Sequence, residues 1–193
     1  TKEPSCPIGL PGEFNQMNAR AAAAAARMAF PEIEDTTIYS SIASFRGTWR
    51  RFEYKGKTKK GANVYDDYAH HPTAVAKTLG ALRAKTEGKV IVAFHPHLYS
   101  RTRDLMDQFA TAFADADEVV IAPIYPAREA FDGVTTNAAL AGRIRDAGTN
   151  AIALDSFAIR TIMQRALTTS TADGAYYLCG LPTDASLDLN VSA

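Results

Sequence analysis

The sequence predicts an α/β fold, a Rossmann-like, doubly wound and mostly parallel sheet with helices on both faces, preceded by a short helical segment. Residues 89–94 (KVIVAF) and 118–124 (EVVIAPI) are short apolar runs without polar alternation, which is typical of parallel strands buried on both faces. Residues 73–85 and 103–116 instead carry apolar side chains at helical spacing. The alternation of these two patterns along the chain predicts βαβ units.

The first 43 residues differ from the rest and predict helix alone. Residues 15–30 contain six consecutive alanines, which favour helix and add little bulk, and Pro31 ends the helix. Leu10-Pro11-Gly12 predicts a turn before this helix, and residues 36–43 predict a shorter helical turn after it. We therefore expect one structural unit over residues 1–43 and a second over residues 44–193.

The second unit is expected to contain the whole sheet. Residues 55–61 (KGKTKKG) predict a solvated basic hairpin tip between two short strands. In chain order, the predicted elements are strands 49–54 and 62–68, helix 73–85, strand 89–94, helix 103–116, strand 118–124, helix 137–147, strand 151–154, helix 157–167 and strand 175–179.

The composition of the chain argues against several classes of function. The 193 residues include 21 Lys plus Arg and 21 Asp plus Glu, so the basic excess usual in nucleic-acid binders is absent. No apolar run approaches the roughly 20 residues that span a bilayer, and the polar start TKEPSCP does not resemble a signal peptide. Cys6 and Cys179 stand in no ligand-spaced motif. We expect a cytoplasmic protein without nucleic-acid or membrane partners.

Polar side chains follow three of the predicted strands, where each strand ends. All four histidines fall in two of these loops. In open α/β sheets ligands bind at the carboxyl ends of the strands, so we expect these side chains to meet at one edge. They are Asp66, Asp67, Tyr68, His70 and His71 at and after the end of the second strand, His95, His97, Tyr99, Arg101 and Arg103 after the third, and Tyr125, Arg128 and Glu129 after the fourth.

Two chemistries fit this constellation. Arg101 and Arg103 can bind phosphate or carboxylate in bidentate fashion, at the start of a helix whose N-terminus favours anions. A phosphate-bearing ligand is therefore one interpretation. Paired aspartates with His-His and His-x-His could instead hold zinc or two metal ions. The arginines and the neighbouring Pro72 and Pro96 argue against a metal.

A phosphate-binding P-loop is absent from the sequence. Gly56-Lys57-Thr58 matches only the tail of G-x-x-x-x-G-K-[ST], and Arg51 stands where the first glycine is required. If ATP is used, we expect most of the triphosphate to be bound outside these 193 residues.

Four motifs resemble those of the Mur ligase family, in the family's order. They are residues 10–19 (LPGEFNQMNA), 50–53 (RRFE), 66–73 (DDYAHHPT) and 94–103 (FHPHLYSRTR). The octapeptide DDYAHHPT is specific, whereas RRFE alone is weak. Beyond residue 130 the resemblance depends on the pattern of strands and helices.

The resemblance implies a three-domain ATP-dependent ligase. Residues 1–43 would be the helical end of the central, ATP-binding domain that carries the P-loop, and residues 44–193 the C-terminal domain that closes over it. By position in the motifs, it implies catalytic roles for His70 and Arg101, ATP binding by Asn15, Asn18, Arg51, Asp67 and Tyr68, and binding of the amino acid or the reacting phosphate by His97 and Arg103.

The implied reaction joins L-alanine to UDP-N-acetylmuramate in peptidoglycan synthesis, through an acyl phosphate made from ATP. Mg²⁺ is implied as well, with protein ligands outside this chain and none within it. Without the P-loop the fragment alone should be inactive. The alternatives are a ligase of the same family that recycles a muramyl tripeptide, a stand-alone nucleotide-binding module, and a metal hydrolase.

Three departures from the family's motifs bear on amino-acid specificity more than on ATP use. Phe14 stands where many members have His, and Leu98 where many have Arg. Residues 180–184 (GLPTD) replace an expected Gly-Ala-Gly-Asp loop.

Overall fold

The computed structural model describes residues 6–58, 60–154 and the strand 175–179. The chain forms two compact units, Thr1–Thr48 and Trp49–Ala193. The predicted helix 157–167 and the loop 180–184 lie outside the described residues. The assignment of the first unit to a larger central domain stays a prediction.

The described residues of the first unit form two helices, α1 (Glu13–Ala29) and α2 (Asp35–Ser44). Gly12 stands immediately before α1 with φ +95°, and a Cβ there would lie 2.5 Å from the Phe14 ring. Only glycine fits this turn without strain, which explains the LPG sequence. Ala19 and Ala23 are the buried positions of α1. Their small side chains permit close packing, as the alanine run predicts.

A six-stranded sheet forms the centre of the second unit, with strand order β1-β2-β6-β3-β4-β5. All neighbouring pairs are parallel except the edge pair β1–β2, which is antiparallel. This confirms the predicted α/β class. The strands are β1 (Glu53–Lys57), β2 (Asn63–Asp67), β3 (Val90–Phe94), β4 (Glu118–Ile121), β5 (Asn150–Ala153) and β6 (Ala175–Cys179).

Four helices are described in this unit. They are α3 (Pro72–Arg83), α4 (Tyr99–Asp104), α5 (Met106–Ala112) and α6 (Asn137–Asp146). The prediction of one helix over residues 103–116 was wrong, because the backbone at Leu105 (φ −111°, ψ 17°) leaves helical geometry, so that α4 ends and α5 begins there. The predicted strand 49–54 was also misplaced, since Arg50 and Phe52 have φ of +54° and +50° and β1 begins only at Glu53.

The core lies against one face of the sheet. Val90, Val92 and Phe94 alternate along β3 and therefore point to the same face, where they meet buried side chains of α3, α5 and α6. Phe94 contacts the rings of Phe109 and Phe113 at centroid distances of 5.4 and 5.2 Å. Burying one such side chain contributes about 2 kcal/mol. This packing fixes the strand ends on which the candidate site is built.

The last described strand lies inside the sheet, not at its edge. β6 pairs with β2 on one side and with β3 on the other, so Asp67 and Phe94 are both in register with Cys179. The segments that follow β2 and β3 are thus separated by the width of one strand.

Among the helices of the described residues, none is long and apolar enough to cross a membrane.

Candidate active site

The carboxyl ends of β2, β3 and β4 meet at one edge of the sheet. The chain continues the pairing beyond β3 and β4, since the Leu98 N–H donates to the Tyr125 carbonyl at 2.8 Å and the Tyr125 N–H donates to the Pro96 carbonyl at 2.8 Å. The segments carrying His97 and Tyr125 are therefore held side by side. The parallel topology places the polar residues together, as expected from their position after the strands.

Five rings form a cluster at this edge: Tyr68, His70, His95, His97 and Tyr125. The His97 ring is central, with centroid distances of 5.2 Å to His95, 5.2 Å to Tyr125, 5.9 Å to Tyr68 and 6.2 Å to His70. Three of the predicted site residues, Tyr68, His70 and His97, are thus brought together from two different loops.

His70 is held in a defined orientation. Its Nδ1 lies 2.8 Å from the Tyr68 carbonyl oxygen, which can only accept a hydrogen bond, so Nδ1 carries the proton. In the neutral ring Nε2 is then left with a lone pair. This tautomer makes His70 able to accept a proton at Nε2 from a bound group.

Asp67 is buried, with 6% of its surface exposed. One carboxylate oxygen accepts the Phe52 N–H at 2.7 Å and the other accepts the Ala69 N–H at 2.7 Å. The carboxylate thus ties the RRFE segment to the loop that carries Tyr68 and His70. Asp67 therefore has a structural role, which was not predicted, in addition to its predicted role at a nucleotide.

Arg50 is a residue that the sequence reasoning missed. Its guanidinium lies 5.0 Å from the Tyr68 ring centroid and 5.5 Å from that of Trp49, and its Nε lies 3.5 Å from the Asp66 carboxylate. Arg50 is 9% exposed, and its buried Nη2 has no hydrogen-bond partner among the residues that the structure describes. Burial raises the pKa of Asp66, and the charge of Arg50 opposes that rise.

The adjacent Arg51, predicted to reach the ATP phosphates, points to solvent. The positive φ of both neighbours, Arg50 and Phe52, turns the chain sharply here, so the two arginines of RRFE have opposite environments. Arg51 makes no ion pair within the part of the chain that the structure describes. The doublet RR was a visible signal, but only the turn decides which arginine is buried.

Helix α4 carries Arg101 and Arg103, the two arginines that were predicted at the site after β3, and their environments also differ. Arg103 pairs with Asp104 at 2.9 Å and with Asp132 at 3.4 Å. Arg101 is half-buried and makes no ion pair or hydrogen bond with its side chain among residues 6–58 and 60–154. Of the two, Arg101 is the guanidinium that is available to an anion.

The expectation that the N-terminus of this helix binds an anionic ligand needs correction. Glu129 already occupies it, accepting the Ser100 N–H at 3.0 Å and the Ser100 hydroxyl. These bonds from Ser100 lower the pKa of Glu129. A negative charge does sit at the helix N-terminus, as the dipole favours, but the protein itself supplies it.

Asn15 and Asn18 belong to the first unit and lie on α1. The Asn15 amide donates to the Pro11 carbonyl at 2.6 Å and so stabilises the LPG turn, whereas Asn18 is exposed. One turn of helix separates the two side chains, which places them on the same face of α1. Their predicted role at the nucleotide stays a prediction.

The arrangement of the acidic and histidine side chains bears on the zinc interpretation. Within the described residues, no group of three or more His, Cys, Asp or Glu side chains is arranged to hold a metal ion. The histidines of the ring cluster contact one another and the tyrosines through their ring faces and edges instead.

Comparison with known proteins decides the family. The sequence profile described as "Mur ligase, glutamate ligase domain" matches residues 50–180, which is more than half of the chain. The chain belongs to the Mur ligase family.

Several curated relatives of the chain share one name. The chain is 42% identical over 150 residues to UDP-N-acetylmuramate–L-alanine ligase of Clostridium acetobutylicum, covering 78% of this chain and 32% of the relative. It is 46% identical over 143 residues to the protein of the same name from a Geobacter species, covering 73% and 30%. The chain therefore spans about a third of the length of the curated relatives it matches.

Solved Mur ligase structures share the fold. The chain aligns with UDP-N-acetylmuramate–alanine ligase of Thermotoga maritima at a TM-score of 0.66 and 23% identity, covering 89% of this chain and 35% of that one. A murein peptide ligase from Psychrobacter arcticus aligns at a TM-score of 0.62 and 24% identity, covering 90% and 35%. At these identities the likeness is one of fold.

Proposed function

We propose that this chain is part of an ATP-dependent ligase that joins L-alanine to UDP-N-acetylmuramate, and that it supplies the side chains that receive the amino acid. The observation that carries the proposal is the Arg101 guanidinium, unpaired among the described residues and four residues beyond the His97 ring. The shared name of the relatives, at 40–46% identity, supports the same reaction.

The chemistry needs an anion-binding group and a proton acceptor at the same edge. A carboxylate oxygen of UDP-N-acetylmuramate attacks the γ-phosphorus of ATP, and the bond to ADP breaks. The amine of L-alanine then attacks the acyl carbon, the bond to phosphate breaks, and the nitrogen loses a proton. Most of the catalysis is therefore positioning and charge stabilisation.

We assign the following residues of this chain to the second step, in which the amine of L-alanine attacks the acyl phosphate. Arg101 binds the alanine carboxylate, since a guanidinium and a carboxylate form two parallel hydrogen bonds. His70 accepts the proton at Nε2, because its Nδ1 already donates to the Tyr68 carbonyl. The His97 ring contacts the rings of both His70 and Tyr68 and holds them in place.

The nucleotide is assigned to a second group of residues. By their positions in the motifs, Arg51 is assigned to phosphate oxygens, and Asn15 and Asn18 of the first unit are assigned to the adenine. Tyr68 and Asp67 are assigned to the ribose by their positions in the motif DDYAHHPT. Arg103, paired with Asp132, contributes to the positive field of α4 without touching the ligand.

ATP-dependent ligation also calls for Mg²⁺ to neutralise phosphate charge. Within the described residues, no cluster of carboxylates is arranged to hold it. We therefore assign its ligands to the part of the enzyme that lies outside these 193 residues, together with the P-loop. The enzyme is placed in the cytoplasm, where ATP and the UDP-sugar are present.

The test uses the full-length protein that contains this chain. Phosphate release should require ATP, UDP-N-acetylmuramate and L-alanine together, and the 193-residue chain alone should release none. Replacing L-alanine by the muramyl tripeptide's peptide part separates the recycling alternative. Turnover with that peptide but not with L-alanine would assign the recycling reaction instead. Absence of phosphate release with either would refute a ligase function.

A further inference from the structure

The loop of residues 125–132, which follows β4, fastens helix α4 along its whole length. The Tyr125 carbonyl accepts the Leu98 N–H, and the Glu129 carboxylate accepts both the N–H and the hydroxyl of Ser100. Further along, the Phe131 ring lies 5.2 Å from that of Tyr99. Asp132 then pairs with Arg103 at 3.4 Å. We call residues 125–132 the clamp loop.

Helix α4 has only six residues before the backbone leaves helical geometry at Leu105. Isolated helices this short are unstable in water, since nucleation costs more than so few hydrogen bonds return. The residue before α4, Leu98, has φ +70° and ψ +129°, a backbone conformation that residues other than glycine rarely adopt. Such strain of about 1–3 kcal/mol persists only where the surroundings hold the backbone in place.

Arg101 is the exception among the side chains of α4. Tyr99, Ser100 and Arg103 are tied to the clamp loop, and Thr102 is buried with its hydroxyl donating to the Leu98 carbonyl at 2.9 Å. Among the α4 side chains, Arg101 alone has neither a hydrogen bond, nor an ion pair, nor a ring contact in the described part of the chain. The clamp loop thus fixes the backbone on both sides of Arg101 and leaves its guanidinium available.

We propose that Glu129 is a positioning residue that acts through Arg101: by holding the first turn of α4, it places the guanidinium for the carboxylate of the incoming amino acid. This inference rests on the proposed function and adds a residue to it. Glu129 is the strongest of the four ties, because a carboxylate accepting two hydrogen bonds at a helix N-terminus also gains from the helix dipole.

The proposal makes a specific prediction for two variants of the full-length enzyme. In Glu129→Ala the Michaelis constant for L-alanine should rise about tenfold, with kcat and the constant for ATP within about twofold, as expected when binding shared by ground and transition states is lost. Glu129→Gln should stay within about threefold of wild type. Its amide oxygen can accept the Ser100 N–H and its amide nitrogen can donate to the hydroxyl.

This comparison separates positioning from direct contact. If Glu129 instead bound the ammonium group of alanine, its charge would be required, and Glu129→Gln would be as impaired as Glu129→Ala. That result would overturn the proposal. The matched control is Glu118→Ala at the amino end of β4, which removes an exposed glutamate paired with Lys89 and should change neither constant.

A double-mutant cycle tests whether Glu129 acts through Arg101. Arg101→Ala combined with Glu129→Ala should be no worse than Arg101→Ala alone, because the second change has nothing left to misplace. Effects that multiply would contradict the proposal.

Hydrogen exchange gives a readout that does not depend on the reaction. In Glu129→Ala the amides of residues 99–103 should exchange at least tenfold faster, while those of α5 stay protected. Unchanged exchange would refute the fastening itself. If the wild-type enzyme releases no phosphate with L-alanine, the proposed function fails while this measurement still reports on the clamp loop. An active wild type with an unaffected Glu129→Ala refutes this inference alone.

Discussion

The segments that follow β2 and β3 both carry predicted site residues, but they hold their polar groups in different ways. After β2, the Asp67 carboxylate accepts two backbone N–H groups and the Arg50 guanidinium is buried against Tyr68. After β3, the backbone is fastened from outside by the clamp loop, and the Arg101 side chain has no bond within the described residues. The first segment uses its charges to build a rigid support, and the second presents a charge.

A charged residue in a motif can therefore either support the backbone or present its charge to a ligand. Burial and the number of occupied hydrogen-bonding atoms distinguish the two, and neither is visible in the sequence.

Asp67→Ala should be the most damaging change after β2. It leaves the N–H groups of Phe52 and Ala69 without their acceptor, at a cost of about 1–3 kcal/mol each, so the free energy of unfolding should fall by about 3 kcal/mol. Urea denaturation with hydrogen exchange on the second unit of the full-length protein would measure it. The control Asp104→Ala removes an exposed carboxylate and should cost less than about 0.5 kcal/mol. Undiminished stability of Asp67→Ala would contradict the supporting role.

Arg101→Ala should leave stability unchanged and raise the Michaelis constant for L-alanine about 30- to 100-fold, because a bidentate charge-assisted contact contributes about 2–3 kcal/mol. Arg103→Ala is the matched control on the same helix. Since Arg103 is already paired with two carboxylates, its loss should change that constant less than about threefold. Steady-state kinetics decides between them, and equal effects would erase the proposed distinction.

Arg50→Lys should lower the free energy of unfolding by about 1 kcal/mol, since lysine keeps the charge beside Asp66 but loses the planar contacts with Trp49 and Tyr68. The control Arg51→Lys, at the exposed neighbour, should have no measurable effect on stability. If the two variants were equally stable, the burial of Arg50 would have no energetic consequence.

The smallest expected effect is a dependence of the clamp loop on pH. Bonds from Thr135 lower the pKa of Asp132 to about 2, and bonds from Ser100 lower that of Glu129. A carboxylate whose folded pKa is depressed stabilises the fold above its unfolded value of about 4, and this stabilisation disappears as the pH falls towards 2.

Thermal unfolding of wild type and Asp132→Asn measures this dependence. The difference in melting temperature should be present at pH 6 and shrink below pH 4. A difference that persists unchanged at pH 2.5 would show that the charge of Asp132 is irrelevant to the fold.

The pattern of short apolar runs and amphipathic stretches was sufficient for the α/β class and for the edge at which the polar side chains meet, because strand burial and helix periodicity are local properties. The motifs DDYAHHPT and FHPHLYSRTR were sufficient for the family. The same local rules failed at residues 49–52 and 103–116, where positive φ at Arg50 and Phe52 and the break at Leu105 interrupt the expected elements.

Tertiary structure alone decided the rest. The chain's composition and spacing contain no sign that β6 enters between β2 and β3, that Arg50 and not Arg51 is buried, or that Glu129 meets Ser100 from 29 residues away. The physical reason is common to all three. Pairing, burial and hydrogen bonding between distant segments depend on how the whole sheet assembles, and a charged side chain has the same local sequence signal whether it supports the backbone or awaits a ligand.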